Sequence, residues 1–118
     1  MNRELIPKIE LLVERLNEWR GSLVEVVEEI SRSPGTLDRH FTTRASFVMR
    51  LEFAGIGFSG ATLMLLGQAG DRDAGYQATC DLLEELSIER TEVVFVERFG
   101  KVAERHSTFR LLGDERAA

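Results

Sequence analysis

Apolar residues between Leu5 and Ile30 fall on three interlocking seven-residue rows: Leu5, Leu12, Trp19 and Val26; Ile6, Val13 and Val27; and Ile9, Leu16, Leu23 and Ile30. Rows at this spacing form one wide stripe of a helix. Pro7 suits a first helical turn and Ser33-Pro34-Gly35 stops a helix, so the pattern predicts a long helix over residues 6–31. Arg20-Gly21 is a weak point in its middle, and at 1.5 Å per residue the rod would run roughly 37 Å.

The period then changes to two. Phe41, Thr43, Ala45, Phe47, Met49, Leu51 and Phe53 alternate with His40, Thr42, Arg44, Ser46, Val48, Arg50 and Glu52, which predicts a strand over 40–54. The glycines from Gly55 to Gly60 supply a turn into a second, more buried strand over 58–67. Asp71 or Asp73 can cap a helix over 73–87, where Tyr76, Thr79 or Cys80, Leu83 and Leu86 recur at three- and four-residue steps. Strands over 91–98 and 102–112, joined by a hairpin near Phe99-Gly100, complete the pattern, and 113–118 reads as a tail. The expected fold class is α+β, a single domain over 1–118. A long N-terminal helix is followed by hairpin, helix and hairpin, giving one antiparallel four-stranded sheet with helices packed on one face.

Composition narrows the function classes. A chain of 118 residues can bury a core without disulfides or a structural metal. No apolar run approaches the roughly 20 residues of a membrane helix, and the Glu-patterned N-terminus does not read as a secretory signal. Cys80 stands alone, so no internal disulfide can form, and a cytoplasmic setting is expected. The net charge of −5 argues against binding nucleic acid, which needs clustered Lys and Arg.

Several residue groups are candidates for chemistry. Gly55-x-Gly57-x-x-Gly60 matches the glycine spacing of a dinucleotide fingerprint, but Arg50 and Glu52 alternate before it and no helix is expected after it, so it reads as a hairpin turn. Arg39, His40, Arg44 and Arg50 form the densest positive group; of these, His40, Arg44 and Arg50 are candidate anion contacts, and Tyr76 is a candidate ligand contact. Glu104, His106 and Thr108 share a strand face, and a turn at Phe99-Gly100 would set His106 opposite Val93; without a nucleophile or orienting group they define no catalytic set. Two histidines and one cysteine in separate segments make no metal site, and no cofactor is expected. Glu10, Glu14, Glu18, Glu25, Glu28 and Glu29 would make the outer surface of the long helix acidic.

Leu82-Leu83-Glu84-Glu85-Leu86, then Val93-Val94-Phe95-Val96-Glu97, then Phe109-Arg110-Leu111 resembles the end of four-vinyl-reductase-type ligand-binding domains. The resemblance implies a helix, a strand ending in Glu and a closing strand with Phe, and with them a regulatory small-molecule pocket. The cysteines of that pattern are absent here.

The leading expectation is a noncatalytic protein-interaction module: an adaptor, chaperone, inhibitor or assembly subunit. It would self-associate as a homodimer through Leu12, Leu16, Trp19, Arg20 and Leu23 of the long helix. The alternative is a small-molecule-binding sensory domain with its pocket between sheet and helices, near Phe47, Met49, Phe58, Tyr76 and Cys80. Neither reading involves a membrane.

Overall fold

In the computed structural model, which describes residues 3–32, 41–57 and 60–114, a single α-helix precedes one seven-stranded antiparallel sheet. After a 3₁₀ turn at Arg3–Leu5 come α1 (Ile6–Glu18), β1 (Ser22–Arg32), β2 (Phe41–Gly57), β3 (Thr62–Ala69) and β4 (Arg72–Thr79). A 3₁₀ turn at Cys80–Leu82 leads to β5 (Leu83–Ile88), β6 (Glu92–Phe99) and β7 (Ala103–Asp114). The spatial order is β4-β3-β2-β1-β7-β6-β5, with β1 at the centre.

This corrects the expected α+β fold with its four-stranded sheet and helices over 6–31 and 73–87. The first helix stops at Glu18 because Gly21 adopts φ +88, a left-handed conformation that glycine tolerates and a continuing helix does not. The Gly21 N–H donates instead to Leu51 O at 2.8 Å, turning the chain into the sheet. From there Val24 and Val26 face inward, fully buried, while Glu25 and Glu29 face outward: a period-two alternation in a stretch where Leu23, Val26, Val27 and Ile30 also fall on the seven-residue rows. The second helix is replaced by β4 and β5. Ala74, Tyr76, Ala78 and Cys80 form an inward row at period two, and Gly70, at φ +66, makes the tight turn from β3. With β5 in place of a helix at Leu83–Ile88, the helix implied by the four-vinyl-reductase resemblance is absent.

The remaining strands shift at their ends. β2 runs through Gly57, past the expected 40–54, with a bulge between Leu51 and Phe53 that turns Phe53 from the inner row to the outer face. Met49 and Leu51 are fully buried and Phe47 half-buried, whereas Arg44, Ser46 and Arg50 are exposed. β3 lies at Thr62–Ala69 rather than 58–67. β7 extends into the expected tail as far as Asp114, and residues 115–118 lie outside those described.

The sheet is rolled, and α1 fills one end of the roll against β2 and β5. Ile9, Leu12 and Leu16, at three- and four-residue steps, meet Trp19, Val24, Met49, Leu51, Leu63, Leu65, Phe95 and Phe109 in one continuous core. Asn17 fixes the helix end: its Nδ2 donates to Ala54 O at 2.8 Å, and Ala54 N–H donates back to Oδ1 at 3.1 Å, as a neighbouring strand would. No helix of the chain is long and apolar enough to cross a membrane, among the described residues.

Candidate functional site

Beyond the end filled by α1, five side chains on inward rows converge inside the roll: Glu28 on β1, Tyr76 on β4, Glu97 on β6, and Arg105 and Ser107 on β7. Register brings them together, since Glu28 pairs with Ser107 and Glu97 with Arg105. Arg105 is the hub. Its Nε donates to Glu97 Oε1 at 2.6 Å, Nη1 to Glu28 Oε2 at 3.4 Å, and Nη2 to the backbone oxygen of Gln77 at 2.6 Å. Its guanidinium carbon lies 5.1 Å from the Tyr76 ring centroid, within cation–π range. Glu97 is wholly buried, and its Oε2 accepts the Thr79 N–H at 2.9 Å. The Tyr76 hydroxyl donates to Glu28 Oε2 at 3.2 Å and sits 2.6 Å from Ser107 Oγ.

Two of these bonds end on backbone groups of β4, an edge strand. Gln77 O and Thr79 N–H are thus engaged by side chains where a neighbouring strand would otherwise bond them. Burial pushes the Tyr76 phenol up to about 12, with the Glu28 carboxylate adding to the rise against the Ser107 hydrogen bond and Arg105. Such a phenol stays protonated at neutral pH and is no general base. Every buried side-chain polar atom among the described residues has a partner, so the network directs its groups at one another and at β4. Chemically it is a latch that holds the rolled sheet shut.

Sequence reasoning missed this cluster. The predicted long helix puts Glu28 on an acidic outer surface, and Glu97, Arg105 and Ser107 stand in segments that periodicity alone does not connect. A usable signal is present, because Glu97 continues the inward row of Val93 and Phe95. A carboxylate there needs a cation from a neighbouring strand.

The other candidates are dispersed. Leu12, Leu16 and Trp19 lie in the core of their own chain, Leu23 is half-buried on β1, and Arg20 Nε donates to Glu52 O at 2.9 Å. Arg44 and Arg50 are exposed on the outer face of β2, Arg44 Nε at 3.8 Å from Glu29 Oε1; His40 lies outside the described residues. Where the ligand pocket was expected, Met49 and Cys80 are buried, Phe47 is half-buried and Tyr76 belongs to the latch, while Phe58 lies outside the described residues. The Cys80 thiol is pushed up by burial and by Asp81 and Glu97, away from thiolate reactivity.

His106 pairs with Val96 rather than Val93, because the β6–β7 hairpin turns through Gly100–Val102 and pairs Phe99 with Ala103. Its Nε2 is 3.3 Å from Glu104 Oε2. Hydrogen bonds from His106 and Arg98 hold the Glu104 carboxyl below its ordinary range. The acidic residues of β1 are each matched by an arginine: Glu25 by Arg110, Glu28 by Arg105 and Glu29 by Arg44.

Two further surface features among the described residues bear on function. On the outer face, Phe53 of β2 and Leu66 of β3 form a cross-strand pair, 46% and 44% exposed, with Val48 further along β2 at 42%. Glycines make this ledge flat: a Cβ built on Gly55 would lie 2.5 Å from Phe53 Cζ, and one on Gly75 would lie 3.5 Å from Leu66 Cδ2, so both side chains lie down over bare backbone. At the β6–β7 hairpin, Ser31, Arg32, Arg98, Lys101 and Glu104 border an open cavity of about 450 Å³.

Comparison with protein-family models, with curated proteins and with solved structures gives no match for this chain.

Proposed function

We propose that this protein is a noncatalytic interaction module that works as a homodimer, with the outer face of β2 and β3 as its contact surface. The observation that carries the reading is the exposed pair Phe53 and Leu66, laid flat over Gly55 and Gly75 on a face that no element of the chain covers among the described residues. A planar apolar ledge suits a two-fold contact, in which the same patch from each copy meets its own image. The surface replaces the helix stripe, whose Leu12 and Leu16 have no exposed area left to offer. The setting proposed is the cytoplasm, supported by a single cysteine that is buried as a thiol.

Light scattering at micromolar concentration tests this on the parent chain and on Phe53→Glu and Leu66→Glu. The expected result is a dimer in the parent and folded monomers in both variants, with unchanged far-UV circular dichroism. A monodisperse monomer in the parent overturns the proposal, as does a dimer that survives both substitutions.

A further inference from the structure

From the cavity at the β6–β7 hairpin we infer a second binding site, for a small phosphate-bearing ligand, independent of the dimer surface. Three cations line it from two separate stretches of chain: Arg32 at the end of β1, and Arg98 and Lys101 around the hairpin turn. The β1–β7 register ends at Arg32 opposite Ala103, so the tip of β1 lies against the start of β7 beside that turn. Among the described residues the lining has one carboxylate, Glu104, and it is already engaged, with Oε1 accepting from Arg98 Nε at 3.0 Å and Oε2 3.3 Å from His106 Nε2. Among the described lining residues, three cations less one carboxylate give +2, on a protein whose net charge is −5. That contrast localises anion attraction here. The field of the whole molecule does not supply it.

The residue types fit a phosphate. Arg offers a planar fork and Lys a mobile point charge, and pairing them is a common way to hold phosphate oxygens. Ser31, with its hydroxyl 3.3 Å from Thr42 Oγ1, adds a neutral hydrogen-bonding group at the rim. Gly100, at φ +60, lets the hairpin turn tightly beside the cations. A volume of about 450 Å³ exceeds what a bare phosphate needs and falls in the range of small-molecule sites. The ligand is therefore a phosphate monoester of a small organic molecule. A nucleic acid is disfavoured, since it would need such charge repeated along a surface.

Isothermal titration of the intact protein with inorganic phosphate and, separately, with glycerol phosphate tests the site. Arg32→Gln and Lys101→Gln serve as variants, with Arg72→Gln, on β4, as the control. Saturable binding is expected for the parent and the control, weakened about tenfold or more in each variant, as loss of one charge-assisted hydrogen bond entails. Both variant positions are exposed, so thermal unfolding should not move. Tighter binding of glycerol phosphate supports a monoester, whereas equal binding of the two overturns the monoester in favour of a simple anion site. Absence of saturation in the parent, or equal loss in the control, overturns the site altogether.

Discussion

The Tyr76 hydroxyl on β4 lies 2.6 Å from the Ser107 hydroxyl on β7, although three strands separate β4 from β7 in the sheet. At about 4.8 Å per strand a flat sheet would hold them roughly 19 Å apart. The roll that closes this gap places Tyr76 edge-on to Phe109 at 5.3 Å and lets Arg105 and Glu97 reach the backbone of β4. Rolling buries apolar surface and polar groups together, and the polar groups survive burial because each has a partner.

The hub of that network should be costly to remove. Arg105→Ala leaves Glu97 buried with Thr79 N–H as its remaining partner among those described, and frees Gln77 O. A loss of about 3 to 5 kcal/mol is expected in urea unfolding, the usual penalty for stripping one partner from a buried pair. Arg105→Met combined with Glu97→Leu should recover part of it, because the wholly buried carboxylate is then gone with its cation and the partly exposed Glu28 keeps the Tyr76 hydroxyl.

Tyr76 gives the network a signature in pH. It is the only tyrosine in the chain, so the phenolate absorbance reports it alone. Its folded value of about 12 stands above the ordinary 10.0, so the folded state holds its proton more tightly than the unfolded state does. The associated stability is fully present below pH 10 and is lost as pH rises through 12, on the order of 2 to 3 kcal/mol for a shift of this size. Absorbance titration of the native protein should show no phenolate at pH 10.5, with the transition moving down to the ordinary value in urea. A native titration centred near 10 would mean that Tyr76 is solvated.

Much of the β half was legible from period two alone, as in β2, where Phe47, Met49 and Leu51 alternate with exposed Arg50 and Val48. The helix and sheet periods could not be separated from Leu23 to Ile30, because Val26, Val27 and Ile30 satisfy a seven-residue row and a strand face at once. Gly21 decided the matter: its positive φ is a backbone requirement that side-chain periodicity does not register. Along β4 and into the turn after it the inward row is Ala74, Tyr76, Ala78 and Cys80, too small and mixed to stand out against three- and four-residue steps. The latch was illegible for another reason. Its bonds join residues as far apart as Glu28 and Arg105, and only the strand order brings them together.

Gly67 marks the closest approach of β3 to β2. A Cβ there would lie 2.2 Å from Arg50 O and 3.1 Å from Met49 Sδ, on the inner side of the bulge that re-aims Phe53. The first of these atoms is backbone and cannot swing away. Gly67→Ala should therefore cost about 3 kcal/mol by chemical denaturation, at the upper end for overpacking. Gly75→Ala, whose Cβ would meet Leu65 O at 3.4 Å, should stay within about 1 kcal/mol. Equal effects would mean that the strands separate freely at the bulge.

The docking of α1 separates a core stripe from a surface stripe on one helix. Leu16 is fully buried against the sheet, whereas Leu11 is 55% exposed on the opposite side. Leu16→Glu places an unpaired carboxylate among Trp19, Met49 and Leu51, where the charge has no partner and the lost packing adds to the cost. A combined loss of about 5 kcal/mol is of the order of the whole stability of a small domain, so the variant should unfold or lose α1 from the sheet. Leu11→Glu should change stability by no more than about 0.5 kcal/mol. Fluorescence of Trp19, the only tryptophan, distinguishes the outcomes: its emission should shift red in Leu16→Glu and stay unchanged in Leu11→Glu. A folded Leu16→Glu variant with parental fluorescence would show that α1 stays docked and that the core tolerates a carboxylate at position 16.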